Sequence, residues 1–201
     1  MDFTNVEKNL RAAGYAVSAF DTAADAVAYL DAQIDGKSVG FGGSVTLEQM
    51  RLYEILGKHN HMVWHWRPEE GKSVDALRAE AAGAEIYFSS VNGLAETGEV
   101  INIDGACNRI ASIFYGHQKV YLVVGENKLA ADCAKALERA RHVAAPRNAK
   151  RLGIATPCAA KGDRCYDCQS PDRICRGLSV LWRCPTGSQI EVVLIHETLG
   201  Y

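Results

Sequence analysis

One stretch of eighteen residues concentrates side chains that can donate, accept or carry charge. It runs from residue 92 to residue 109, NGLAETGEVINIDGACNR, around a short apolar run. The stretch holds amides, carboxylates and one guanidinium, at Asn92, Asn102, Asn108, Glu96, Glu99, Asp104 and Arg109. Its three glycines permit close backbone approach and tight turns. The pattern predicts a partly buried strand with a polar pocket at its ends, or an ordinary hairpin that turns at Thr97 and Gly98.

A glycine-rich segment is the second candidate site. A short strand from Ser38 leads into glycines, and a helix is predicted from there through Leu56. Backbone N–H groups at a helix start can hold a carboxylate or a phosphate, and glycine lets the anion come close. The spacing fits neither a Walker loop nor a Rossmann fingerprint. The segment therefore predicts either an anion site or a simple strand-to-helix turn with a serine N-cap. The candidate ligand-binding residues are Gly42, Gly43, Ser44 and Thr46.

A third candidate follows the clearest strand of the chain, residues 119–124. This strand runs into a polar loop that contains Asn127 and Lys128. Open α/β sheets bind ligands at the carboxyl ends of their strands, so the loop is a candidate ligand-binding segment. Lys128 is either a cation that binds an anion or a solvated lysine at a helix start.

Four cysteines crowd into eighteen residues. Cys158, Cys165, Cys168 and Cys175 are separated by six, two and six residues. In a reducing compartment such a cluster indicates metal binding before disulfides. Four sulfurs suit either a tetrahedral zinc or a [4Fe-4S] cluster, with free thiols or a Cys165–Cys168 disulfide as the alternatives. Neighbouring arginines would offset the negative charge of four thiolates.

The elements that must position these residues alternate between helix and strand. A capping box at Thr4 and Glu7 predicts the first helix, and a strand at 15–20 and a second helix follow. Further helices are predicted at 74–82, 110–115 and 129–143, a strand at 86–91, and a hairpin from 178–183 and 190–195. This rhythm predicts a three-layer α/β fold with a mostly parallel sheet. We expect one domain over residues 1–201, with the cysteine-rich segment 157–176 as a loop that leaves it.

Composition excludes several classes of partner. The 201 residues carry a formal net charge of -2, with a pI near 6.3 and no massed cations, which argues against nucleic acid. No apolar run reaches the roughly 20 residues of a membrane-spanning helix, and no secretory signal opens the chain. These features predict a cytoplasmic protein without membrane insertion.

Three segments in this order resemble the LUD family of lactate-utilisation proteins. They are residues 92–105 (NGLAETGEVINIDG), 145–152 (APRNAKRL) and 165–175 (CYDCQSPDRIC). The chain is similar in particular to short, stand-alone members that carry a C-terminal cysteine cluster and a final Leu-Gly-Tyr. The resemblance implies the fold of sugar-phosphate isomerases, CoA transferases and 5-formyltetrahydrofolate cyclo-ligase, the NagB/RpiA/CoA transferase-like fold. In such a fold the three candidate segments would meet at the strand ends.

The resemblance also implies a role in the oxidation of lactate to pyruvate, as a component or an accessory. A small carboxylate or phosphate would then be held at Ser44 and by Arg109 or Lys128, with Glu96 or Asp104 as the acid/base group. A [4Fe-4S] cluster on the four cysteines would pass electrons to partner iron-sulfur subunits, because the sequence has no flavin or nicotinamide fingerprint. The alternatives are a non-catalytic ligand-binding or assembly module with a structural zinc, and an enzyme that acts on sugar phosphates or CoA esters.

Overall fold

The computed structural model describes residues 3–201 and contains two sheets with helices packed around them. The strands are β1 (Ala16–Phe20), β2 (Ser38–Phe41), β3 (His61–Trp64), β4 (Ile86–Ser90), β5 (Gly93–Ala95), β6 (Val100–Asp104), β7 (Lys119–Gly125), β8 (Leu129–Ala130), β9 (Gly177–Leu181) and β10 (Ile190–Ile195). The α-helices are α1 (Thr4–Ala12), α2 (Ala23–Gln33), α3 (Val45–Gln49), α4 (Leu52–Leu56), α5 (Val74–Ala82), α6 (Asn108–Phe114), α7 (Cys133–Arg139), α8 (Ala145–Leu152) and α9 (Pro157–Lys161). A 3-10 turn covers Glu126–Lys128, and a π-helical turn, Ala140–Ala144, joins α7 to α8.

The larger sheet is parallel throughout and has the strand order β1-β10-β7-β4-β2-β3. Successive residues of a strand point to opposite faces of the sheet, so each central strand contributes side chains to two hydrophobic cores, one on each face. In β7, for example, Leu122 packs with α1 and α5, whereas Val123 packs with α2 and α4. Helices therefore cover both faces, and the predicted three-layer α/β fold with a mostly parallel sheet is confirmed.

The smaller sheet has the order β8-β5-β6-β9 and carries the polar stretch 92–109. β5 and β6 pair antiparallel, and β9 pairs antiparallel with the other side of β6. α7 covers this sheet through Ala136, which packs against Ala95 and Ile101. The small sheet thus fixes β6 so that its end, at Asp104, faces the carboxyl edge of the large sheet.

The predicted hairpin near the C-terminus is wrong. β9 lies in the small sheet, whereas β10 lies between β1 and β7 in the large sheet and is parallel to both. All six residues of β10 are buried. Apart from Glu191, its run IEVVLI is apolar, which is typical of a central parallel strand with apolar side chains on both faces.

Several helix boundaries also differ from the prediction. α1 begins at Thr4 with Phe3 at the N-cap position, so the predicted capping box at Thr4 is wrong. The helix expected from Ser44 to Leu56 is broken into α3 and α4 at Arg51, whose φ is 53°. The helix expected at 129–143 begins at Cys133 and continues through Pro146, because the π-helical turn accommodates the missing proline N–H.

Replacing Gly40 by alanine should destabilise the fold strongly. A Cβ at this position of β2 would lie 2.3 Å from the carbonyl oxygen of Ala81 in α5, so helix and strand would have to separate. We expect the free energy of unfolding in urea to fall by about 3 kcal/mol. Gly83→Ala is the matched control, since its added Cβ would meet only an ordinary contact at 3.5 Å. Equal midpoints for the two variants would contradict the close packing of α5 on β2.

Candidate functional site

A cavity of about 470 Å³ lies at the carboxyl ends of β2, β3, β4 and β7. The start of α6, the end of α8 and residues 172–176 of the cysteine-rich segment complete its wall. All three segments singled out in the sequence contribute to it. The predicted site residues that line it are Gly43, Ser44, Thr46, Asn92, Asp104, Asn108, Arg109 and Lys128.

Four other predicted residues lie outside the cavity lining. Gly42 lies directly behind it, where a Cβ would come within 2.7 Å of the Cγ of Arg109. Asn102 is 1% exposed in β6. Asn127 anchors the C-terminal segment, because its Oδ1 accepts a hydrogen bond from Leu199 N at 3.1 Å. Glu96 lies at the β5–β6 turn, where it accepts a hydrogen bond from Asn5.

Asp104 holds the start of α6. Its Oδ2 accepts hydrogen bonds from Arg109 N at 3.0 Å and from Ile110 N at 3.4 Å, and its Oδ1 accepts one from Gly105 N at 2.9 Å. A carboxylate that accepts several backbone N–H groups is an N-terminal anchor of the helix. The geometry therefore gives Asp104 a structural task that the sequence did not predict.

Arg109 is directed into the cavity by its neighbours. Its Nη2 donates to Ile103 O at 2.6 Å and lies 3.6 Å from Asp104 Oδ1. The side chain passes over Gly42, which leaves room for it because glycine has no Cβ. One guanidinium is thus oriented by β6 and presented at the strand ends of the large sheet.

Lys128 is buried, with 4% exposure, and forms part of the cavity wall. Its Nζ donates to Ser90 Oγ at 2.7 Å and to Thr46 Oγ1 at 2.8 Å. Burial lowers the pKa of Lys128 well below its usual value, and the positive charges of Arg139 and Arg109 lower it further. The solvated lysine considered from the sequence is therefore wrong.

The start of α3 is a weaker candidate for an anion site than the sequence predicted. α3 has only five residues, and Ser44 Oγ accepts its Leu47 N–H at 3.4 Å. Ser44 is thus an N-cap, and so short a helix adds little to the field at its start.

Besides Arg109, four arginines that the sequence did not single out as ligands of the anion line the cavity. Five arginines line it against two aspartates: Arg78, Arg109, Arg151, Arg173, Arg176, Asp104 and Asp172. Three buried nitrogens of lining residues have no hydrogen-bond partner in the described part of the chain, namely His65 Nδ1, Arg78 Nε and Arg173 Nε. Such groups need a ligand or water. They come from the residue after β3, from α5 and from the cysteine-rich segment, and only packing brings them together.

The pKa of His65 reflects the burial and the positive charge of the cavity. Burial first, and then the charges of Arg78 and Arg109, lower its pKa to about 4. The unfolded chain therefore takes up this proton before the folded one, so His65 costs stability as pH falls from about 6.5 toward 4. We predict an NMR titration midpoint near 4 for the His65 ring, and a higher midpoint when a bound anion offsets the arginines.

His59 is the control for that titration. Its hydrogen bonds to the carboxylates of Asp31 and Asp35 raise its pKa, so its midpoint should lie above 6.5, the ordinary value. A His65 midpoint equal to that of His59 would contradict the cationic, desolvated cavity.

The four clustered cysteines line a second cavity of about 230 Å³, and none of the chain's seven cysteines, all within the described range, forms a disulfide. This cavity adjoins the first. Their shared wall consists of Ile103, Ala145, Arg173, Ile174 and Arg176. Within residues 3–201, no group of three or more His, Cys, Asp or Glu side chains is arranged to hold a metal ion. The thiols thus surround a space without converging on one point.

Among residues 3–201, no helix combines the length and the apolar character that crossing a bilayer requires.

Comparisons with known proteins agree with the resemblance seen in the sequence. No curated protein matches the chain. A crystal structure of a DUF162 family protein from Deinococcus radiodurans has the same fold, with a TM-score of 0.53 and 13% identity over 97% of this chain and 99% of that one. The model of the LUD domain matches residues 3–195. The chain therefore belongs to the LUD domain family.

Proposed function

We propose that the chain binds a small anionic metabolite, a carboxylate or a phosphate, in the cavity at the strand ends, and that it serves the oxidation of lactate to pyruvate as a component or an accessory. The excess of arginines over aspartates in the cavity wall carries this proposal. Membership of a family associated with lactate utilisation supports the substrate class. Guanidinium groups bind carboxylates and phosphates through paired N–H donors, so the wall fits either anion.

Arg109 is the residue we assign to the anion. Its side chain is 14% exposed and already oriented by Ile103 O, so little conformational entropy is lost when it binds. Arg78, from α5, also lines the cavity and has a buried Nε without a partner in the described part of the chain. A carboxylate between these two guanidinium groups would satisfy both.

The size of the cavity favours a ligand larger than lactate, or lactate together with water or a second group. Its volume of about 470 Å³ lies within the range of roughly 300–1,000 Å³ for pockets that enclose small-molecule ligands. A three-carbon acid would fill only part of it.

The positions of Asp104 and Glu96, the two carboxylates considered for acid/base chemistry, argue against catalysis by either of them. Asp104 is engaged by three backbone N–H groups, and Glu96 lies at a turn away from the cavity. A general base must reach the proton that it removes. This arrangement supports the alternative in which the chain is a ligand-binding or assembly module.

We propose that the four cysteines at the second cavity hold a [4Fe-4S] cluster, with a structural zinc as the alternative. Cys158, Cys165, Cys168 and Cys175 line one cavity of about 230 Å³, and four cysteine sulfurs suit either metal centre. A cluster distributes its ligands over several irons and would supply one-electron chemistry to partner iron-sulfur subunits. Arg173, whose pKa is raised by Cys175, would offset the thiolate charge.

Calorimetric titration tests the binding proposal. Lactate, pyruvate and phosphate are titrated into the protein, with lactamide as the neutral counterpart of lactate. We expect heat of binding with at least one of the anions, weaker affinity at high salt and no binding of lactamide, because the cavity recognises charge. Equal affinity for lactate and lactamide, or no binding of any anion, would contradict the proposal.

A further inference from the structure

We propose that Lys128 is a nucleophile that forms an imine with the carbonyl carbon of a 2-oxo acid. This inference rests on the proposed function, since the arginines of the cavity must hold the acid group of the same molecule. It adds a covalent step that anion binding alone does not require.

The hydrogen bonds around Lys128 fix the orientation of its nitrogen. The two hydroxyls that receive its N–H groups are themselves donors to backbone carbonyls: Thr46 Oγ1 to Leu199 O at 3.3 Å, and Ser90 Oγ to Val123 O. Each hydroxyl has one proton, so each must accept from Nζ. A neutral amine has two N–H bonds, and both are then taken.

The remaining position on the nitrogen is a lone pair. Lys128 is one of the residues that line the cavity, so a ligand would approach it from there. The charged side chains that act on Lys128 are Arg139 and Arg109, both of them cations. No carboxylate in the described range 3–201 forms an ion pair with it. The surroundings therefore favour the neutral amine, which is the nucleophilic form.

The stability of the fold does not explain why Lys128 is buried. A buried amine without a counter-ion is unfavourable in any protein interior. Methionine would fill a similar volume without that cost, and both hydroxyls would retain their bonds to the carbonyls of Leu199 and Val123. Residues that lower stability in a cavity are commonly kept for function.

The ligand class follows from the two groups that face it. Arg109 takes a carboxylate, and an uncharged amine reacts with a carbonyl carbon, so a molecule that satisfies both is a 2-oxo acid. The lone pair of Nζ forms the C–N bond, and the carbonyl oxygen becomes a hydroxyl. The C–O bond then breaks, and the two amine protons leave with that oxygen as water. The step needs no oxidant or reductant.

Trapping by reduction tests the inference on the intact protein. Wild-type protein is incubated with pyruvate and cyanoborohydride near neutral pH, and adducts are located by peptide mass mapping. We expect Lys128 to gain pyruvate minus water plus two hydrogens. Exposed lysines such as Lys135, which is 63% exposed and has a raised pKa, should react more slowly by about tenfold for each unit of pKa difference.

Two further samples complete the test. Lactate in place of pyruvate should leave no adduct, because it has no carbonyl, and Lys128→Met should lose the adduct while its thermal stability is unchanged or higher. No adduct at Lys128, or labelling of Lys135 to the same extent, overturns the imine. If lactate, pyruvate or phosphate still binds by calorimetry in that case, the proposed function survives alone; if none of the three anions binds, both fail.

Discussion

Replacing Arg109 by methionine should weaken binding of the anionic ligand by about 10- to 100-fold, which corresponds to about 1.4–2.8 kcal/mol. The guanidinium is the cationic group that β6 and Gly42 orient toward the cavity, and a hydrogen-bonded charge pair is worth more than a neutral hydrogen bond. Methionine retains the aliphatic volume, so the loss reports on the charge. The measurement is the calorimetric affinity for whichever of lactate, pyruvate and phosphate binds the wild-type protein.

Arg183→Met is the matched control for that variant. Arg183 also donates one Nη2 hydrogen bond to a backbone carbonyl, Ala12 O at 2.8 Å, but it is exposed and outside the cavity lining. We expect its affinity to equal that of the wild-type protein. A similar loss of affinity in both variants would show that Arg109 acts only through the overall charge of the protein.

Replacing Asp104 by alanine should lower the free energy of unfolding by about 2–4 kcal/mol, because three backbone N–H groups lose their acceptor and Arg109 loses its nearest carboxylate. Asp104→Asn keeps one oxygen as an acceptor and should cost less, about 1–2 kcal/mol. Chemical denaturation of the three proteins measures these differences.

Glu96→Gln provides the comparison for Asp104. Its carboxylate contacts Asn5 at an exposed turn, so we expect a change within about 0.5 kcal/mol, as for most surface substitutions. If Asp104→Asn had full stability but lost turnover in a lactate-linked assay, the acid/base role considered from the sequence would be restored.

The resemblance to the LUD family implied that the candidate segments would meet at the strand ends. The glycine loop after β2, the polar stretch after β4 and the loop after β7 each follow a strand, and the carboxyl ends of parallel strands share one edge. Local pattern supplied the strands, because they are apolar and regular, but the resemblance supplied the fold that brings their ends together.

The parts of the site that the sequence missed depend on long-range packing. Arg78 lies on α5 and Arg173 in the cysteine-rich segment, and neither follows a strand of the large sheet. Each reaches the cavity only because of where its own element packs. The same limit explains β9 and β10, which are adjacent in sequence but lie in different sheets. The run of β10, which is apolar on both faces except at Glu191, was the available signal for that separation.

The adjacency of the two cavities links the anion site to the cysteine cluster. Ile103 and Arg173 belong to both walls, so a group bound at the cysteines would lie beside the anion. The affinity of a ligand at Arg173 would therefore depend on the charge of the group bound at Cys158, Cys165, Cys168 and Cys175.

The most direct test of the cationic cavity is a crystal structure of the protein grown with a saturating concentration of whichever of lactate, pyruvate and phosphate binds by calorimetry. We expect density for the anion within hydrogen-bonding distance of the Arg109 guanidinium, at the carboxyl ends of β2, β4 and β7. The same anion bound elsewhere on the chain, with only solvent beside Arg109, would contradict the cationic cavity.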